Sequence, residues 1–232
     1  MAQTYDYNEE TLRSILRLAC ILDDLKSRIR TGWKVWQVRS KRLESISEHC
    51  HSCLILANLF YPIYPTRDAI NLARVNMMLI FHEIGEVIIG DVPMIDKVRH
   101  RNKAEAEHAA WHRLLRGLPY EQEVYDLLME FDERQTPEAK YAYYIDKLDA
   151  TKTMKRYYDE HRFHRLSWSL KHSEMIRNND DIQRLVAQGA KNPVDVWFAD
   201  EYAPYDGDQF FLDAHRILRE MNTNIKPEDI AA

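Results

Sequence analysis

Glycine is scarce, with six in 232 residues. Strand-and-turn folds consume glycine at their turns, whereas long helices exclude it, so a β-rich architecture is disfavoured at once. Only three cysteines occur, Cys20, Cys50 and Cys53, which is no basis for a disulfide framework. A reducing, cytoplasmic setting is the simplest expectation. No uninterrupted apolar run approaches the ~20 residues of a membrane span. The start, MAQTYDYNEE, also lacks the charged-then-apolar pattern of a signal peptide. A positive charge balance is missing too. The formal net charge of -5 gives no general attraction to nucleic acid polymers or anionic membranes. What remains is an ordinary globular mix, 45% hydrophobic and 30% charged, sized for one large domain or a domain with an appendage.

Apolar residues recur at helical spacing through most of the chain. Leu12, Ile15, Leu16, Leu18, Ala19, Leu22 and Leu25 share one face of a helix expected over 8 to 29. An irregular basic stretch follows to Leu43. Ser45 or Ser47 suits the cap of a second helix running to about residue 60, with Glu48 in its first turn. A third helix is expected over 67 to 86 or slightly beyond, closing before Gly90. Further helices are expected over 102 to 116, over 121 to 133, and from Pro137 through Asp146 towards 158. The pattern then weakens. The stretch 166 to 182 reads as helical, Asn192-Pro193 as a loop, and a short helix falls near 212 to 221. The expected architecture is all-α: a helical core over 1–160 and a helical, aromatic-rich appendage over 161–232 packed on it.

The stretch FHEIGEVIIGDVP, residues 81 to 93, does not read as plain core. On a helix His82 and Glu86 would share a face, with Glu83 one position round. Histidine beside carboxylates is a partial site for a divalent metal, although a solvated helix face is the plainer reading of these residues alone. His49 opens the otherwise apolar segment SISEHCHSCLILANLF, and Asp146 interrupts Tyr141, Tyr144, Ile145 and Leu148. Buried carboxylates are costly unless paired. Lys147 is one available partner; convergence of all these groups on one metal is another.

This order, one His, then a His-plus-acid pair, then a distant Asp, resembles the H…HD…D pattern of the HD-domain phosphohydrolases. Within that family it is most similar to the 5'-deoxynucleotidase branch. RTGW at 30 to 33, ESISEH at 44 to 49, HEIGEVIIGDVP, and EAKYAYYIDKLDA carry the resemblance, which spans roughly residues 15 to 155. It implies an HD-type helical bundle binding one divalent ion (Zn, Mn, Co, Mg or Fe) through His49, His82, Glu83 and Asp146. It further implies Glu86 as the acid beside the attacking water, Asp91 close to the substrate, Arg30 on the phosphate and Trp33 packing nearby. Glu83 stands where the family has aspartate, and its extra methylene moves the carboxylate or changes its rotamer. The implied reaction is hydrolysis of 5'-deoxynucleoside monophosphates by a homodimer that takes a small nucleotide and engages neither nucleic acid polymer nor membrane.

Three alternatives stay open: a deoxynucleoside triphosphate hydrolase, a dinuclear-iron oxygenase of HD type, and a non-catalytic nucleotide-binding module. The dinuclear reading would recruit His108 and His112, which otherwise fit a solvated face beside Glu105 and Glu107. Cys53 reads as a small core residue rather than half of a zinc or redox CxxC. His161, His164 and His172, with Arg156, Arg162 and Arg165, read as a solvated basic face or the border of an entrance. The aromatic-acidic segment 196 to 211 reads as a lid, a subunit contact or an anchor.

Overall fold

Ser45 shows how local sequence writes local structure. Its side chain accepts from the Glu48 backbone N–H at 3.2 Å, and the Glu48 carboxylate accepts from the Ser45 N–H at 2.9 Å. This capping box satisfies two donors that a helix start leaves open. In the computed structural model, which describes residues 5, 8–93, 96, 102–165, 169–171, 173–199 and 204–230, nearly every expected helix is found. In chain order they are α1 (Glu9–Leu22), α2 (Thr31–Val35), α3 (Ile46–Phe60), α4 (Leu72–Phe81), α5 (Glu86–Ile89), α6 (Lys103–Leu115), α7 (Glu121–Glu133), α8 (Pro137–Asp159), α9 (Glu174–Arg177), α10 (Asp180–Ala187), α11 (Pro193–Trp197) and α12 (Gln209–Glu220). The architecture is all-α. Among the described residues there is no strand, only isolated antiparallel bridges at Ile29–Ser45 and Val38–Phe163. No helix among them is long and apolar enough to cross a membrane.

Several elements depart from the sequence pattern, each for a physical reason. The first helix ends at Leu22 and tightens into a 3₁₀ turn, Asp23–Lys26. The expected helix over 67 to 86 is instead a 3₁₀ turn at Arg67–Ala69, then α4, then a tight turn over 82 to 85 before α5. Bonds from Ile84 N to Phe81 O (3.0 Å) and from Glu86 N to Glu83 O (3.1 Å) overwind that turn. His82 and Glu86 therefore do not share one helical face. Residues 31–35, expected irregular, form α2. Asn178 and Asn179 split the expected helix over 166 to 182, and the Asn179 side chain caps α10; residues 166 to 168 and 172, His172 among them, lie outside the described residues. Asn192-Pro193 is a helix start rather than a loop: Asn192 caps α11 and Pro193 takes its first position, where a missing N–H costs nothing.

The chain packs as two compact units, Met1–Arg30 with Glu44–Tyr143, and Thr31–Leu43 with Tyr144–Ala232. The first is built around Ile84, Trp111, Leu115, Leu118, Val124 and Leu128, against which Ile15, Leu18 and Leu22 of α1 pack. Fully burying such side chains contributes about 1.5–3 kcal/mol each. In the second unit Trp33 meets Tyr157 edge-on at 5.3 Å and stacks on Trp197 at 5.8 Å. Tyr144 packs against Tyr205 and Phe211, so the described part of segment 196 to 211 anchors the tail in a core. Lys155 and Asp159 tie down the backbone at Met221 and Thr223.

Candidate functional site

The first unit places most of the expected site residues together. His49 lies in α3 and is fully buried; Cys53 Sγ, one turn on, sits 3.6 Å from its Nδ1. His82 follows the last residue of α4, and its Nδ1 is 3.0 Å from the Leu79 carbonyl. A carbonyl only accepts, so Nδ1 carries a proton and Nε2 is the nitrogen turned towards Glu83. Glu83 Oε1 lies 3.7 Å from His82 Nε2 and 4.0 Å from His49 Nε2. Arg30 Nη1 is 3.5 Å from the same oxygen. It is held there because Arg30 N bonds the Glu44 carbonyl at 3.1 Å, beside the Ile29–Ser45 bridge. Burial raises the Glu83 pKa, but His82, Lys103, Arg30 and His49 outweigh it and hold the carboxyl well below its usual range. Glu83 is therefore an anion.

Glu86 begins α5 and is 1% exposed. Burial, then the negative charges of Glu83 and Asp91, push its pKa well up, against Lys103 and Arg30. A buried carboxyl that keeps its proton beside an ionised neighbour suits acid–base work. Gly90 follows with φ of 74°, a conformation side chains disfavour, and turns the chain into Asp91. Arg28 Nη1 donates to the Glu86 carbonyl at 3.2 Å. In the second unit, Trp33 is 2% exposed, and Asp146 is 4% exposed on α8, with Lys147 Nζ 2.8 Å from its Oδ2. Since α8 is one uninterrupted helix, Asp146 is carried three residues past Tyr143, the last residue of the first unit.

The turn over 82 to 85 owes its shape to Gly85. A Cβ there would lie 2.9 Å from Trp111 Nε1 and 3.3 Å from its Cδ1. Trp111 is 2% exposed and cannot swing aside. Gly85→Ala should therefore cost about 1–3 kcal/mol through overpacking. It should lower the melting temperature by about 2–4 °C per kcal/mol and reduce turnover, because Glu83 and Glu86 flank the displaced backbone. A variant with wild-type melting and kinetics would show that the contact is slack.

Two residues of the site escape the sequence pattern. Lys103 Nζ lies 3.6 Å from Glu86 Oε1 and 3.2 Å from Glu107 Oε1. Glu107, expected on a solvated face, is buried at 8% exposure. Their i, i+4 spacing is the only trace in the sequence. His108 turns to Asp132, at 3.4 Å, and His112 stacks on Tyr125. Neither joins a cluster of potential metal ligands among the described residues.

Burial raises the Glu107 pKa to about 7 despite Lys103, with Glu83 and Asp132 adding to the rise. A folded pKa above the unfolded carboxyl value means stability that is complete below about 4.5 and lost as pH climbs through about 7. Glu107→Gln, measured in chelator, should therefore gain stability relative to wild type between pH 5 and pH 8, by up to about 3 kcal/mol. A pH-independent difference in melting would remove Glu107 from this account.

The donor chemistry fits a divalent ion. His49, His82 and Glu83 offer ligand atoms within 4.8 Å of one another. In a tetrahedral site, bonds of about 2.0–2.2 Å set ligand atoms about 3.3–3.6 Å apart, a little inside the 3.7 and 4.0 Å separations observed.

Residues 22–187 match the HD domain family, and the chain belongs to it. It is 27% identical over 179 residues to the human 5'-deoxynucleotidase HDDC2, covering 76% of this chain and 84% of that one. It is 31% identical over 140 residues to the Xenopus laevis 5'-deoxynucleotidase HDDC2, covering 59% of this chain and 66%, just under two thirds, of the relative. Its fold matches the crystal structure of the PH0347 protein from Pyrococcus horikoshii with a TM-score of 0.61 at 21% identity, over 88% of this chain and 98% of that one.

Proposed function

We propose that the protein is a metal-dependent nucleotide phosphohydrolase that converts 5'-deoxynucleoside monophosphates to deoxynucleoside and phosphate. The observation that carries this reading is the convergence of two buried imidazoles on Glu83, with Arg30 at the same oxygen and the buried Glu86 carboxyl within 4.8 Å of it. The 5'-deoxynucleotidase activity for which its relatives are named agrees with it.

His49, His82, Glu83 and Asp146 are the residues assigned to hold one divalent ion, and two imidazoles favour a transition ion over magnesium. When bound, such an ion acidifies a water and polarises a phosphoryl oxygen. Ionised by the charge of the bound cation, Glu86 would orient the attacking water and take its proton as the oxygen bonds to phosphorus. The ester bond breaks, and the departing 5'-oxygen takes up one proton while Glu86 releases the one it gained from water. Arg30 offsets charge on the equatorial phosphate oxygens. Asp91 borders the substrate, and Trp33 packs beside the phosphate end. Near-complete burial of Glu86, His49 and His82 keeps bulk water from competing, and low local polarity strengthens each charge interaction.

A homodimer is part of the proposal. Ile55 and Leu59 of α3, Ile63, and Met77 and Ile80 of α4 are exposed apolar residues of the first unit. A bond between Asn58 and Asn76 (2.9 Å) brings the two helix surfaces together. Exposed apolar residues on adjoining helices favour association, which light scattering would register as twice the chain mass.

The deciding test is a screen of metals against deoxynucleotides on purified protein, reading released phosphate against tripolyphosphate. Phosphate from a deoxynucleoside monophosphate, with Glu83→Asp shifting the metal preference, is the expected result. Tripolyphosphate release would establish a triphosphate hydrolase instead. Nucleotide binding without turnover on any metal would leave a non-catalytic module.

A further inference from the structure

Lys103 is the first residue of α6, an unfavourable place for a cation, because the helix N-terminus carries the positive end of the macrodipole. Its pairing with Glu107 one turn on is the weaker order of an i, i+4 ion pair, with the base N-terminal to the acid. Helix energetics therefore give no reason for a lysine here. The reason lies across the packing of α5 on α6. The lysine side chain is only 21% exposed, and its ammonium lies 3.6 Å from Glu86 Oε1 and 3.2 Å from Glu107 Oε1. Glu83, Glu86 and Glu107 bring carboxylate oxygens within 4.8 Å of one another. Arg30 faces this cluster at Glu83, and Lys103 faces it at Glu86 and Glu107. Glu107 is itself wedged beneath the 82 to 85 turn, its Cγ 3.6 Å from where a Cβ on Gly85 would stand.

We propose that Lys103 is a positioning residue for the hydrolytic reaction: braced by Glu107, its ammonium holds the Glu86 carboxyl in the orientation that meets the attacking water. The inference rests on the phosphohydrolase reading above. It assigns Lys103 no contact with substrate. Glu107 fixes the lysine, the lysine fixes Glu86, and Glu86 handles the proton, so the contribution falls on turnover and not on binding.

Steady-state kinetics on the metal-loaded full chain with a deoxynucleoside monophosphate test this. Lys103→Gln should lower kcat by about 10- to 100-fold, less than the loss of the proton-transfer group itself. KM should stay within about threefold, since only uniform binding moves KM alone. Bound metal should be unchanged, and Lys103→Arg, which keeps the charge, should recover most of the loss. In a Glu86→Gln background the same lysine change should add less than about twofold, because residues acting as one unit are not additive. An unchanged kcat would reduce Lys103 to a structural ion pair. A raised KM with kcat retained would make it a phosphate contact, and a full additive loss in the Glu86→Gln background would separate it from Glu86. A wild type inert on every nucleotide would overturn the hydrolytic reading and this inference with it. An active wild type with an unaffected Lys103→Gln would overturn the inference alone.

Discussion

Replacing His82 by alanine is expected to strip the protein of its divalent ion and abolish hydrolysis, and His49→Ala and Asp146→Ala should do the same. His82 has no slack to compensate. Its ring is fixed by the Nδ1 bond to Leu79, and Nε2 already faces Glu83 at 3.7 Å. Glu83 is an anion among buried groups, and without an ion it relies on Arg30, at 3.5 Å, on the imidazoles near it and on the charge of Lys103. A cation that binds only the folded state adds stability by mass action, about 2.7 kcal/mol at a hundred times its Kd. Chelation should therefore lower the melting temperature of wild type and leave the His82→Ala variant unmoved. Elemental analysis after dialysis reads the first effect and thermal melting the second. Full metal occupancy in all three variants would sink the ligand assignment.

Glu86→Gln should leave the metal in place and cut kcat by about 10² to 10⁴, the usual loss for a general acid–base group. The substitution keeps the shape of a side chain that is 1% exposed, so neither cavity nor overpacking clouds the result. It also relieves a crowded set of acids, since Glu83 and Asp91 both bear on Glu86. The variant should consequently be as stable as wild type or more so while losing turnover. Activity within a few-fold of wild type, with metal measured as bound, would take Glu86 out of the mechanism.

Most helices were legible because their signals are local. Ser45 and Glu48 are three residues apart and cap each other. Gly117 and Pro119 separate α6 from α7, and Pro137 opens α8. The site residues were legible for a different reason. A histidine or carboxylate inside an apolar segment is costly, so His49, Glu86 and Asp146 stood out against their neighbours. Lys103 and Glu107 gave no such contrast: they belong to KAEAEHAAWHRLL, whose charged residues fit an exposed helix equally well.

The turn over 82 to 85 lay beyond reading in one dimension. Phe81, Ile84, Val87 and Ile88 keep a helical period straight through it, and Gly85 has φ and ψ that any helix tolerates. Trp111, 26 positions away in sequence, packs against the Gly85 backbone there and leaves no room for a side chain. Similarly, α2 exists where no periodicity announces it, because Tyr157 and Trp197 enclose Trp33. The sequence by itself determined the all-α architecture and the caps, since each follows from spacing along a few residues, and it marked His49, Glu86 and Asp146 as candidates through the cost of burying charge. Only the tertiary structure decided that His82 and Glu86 sit on either side of a turn, and that a lysine from the start of α6 reaches Glu86. Those features depend on which distant surfaces meet, and packing of that kind leaves no period in the chain.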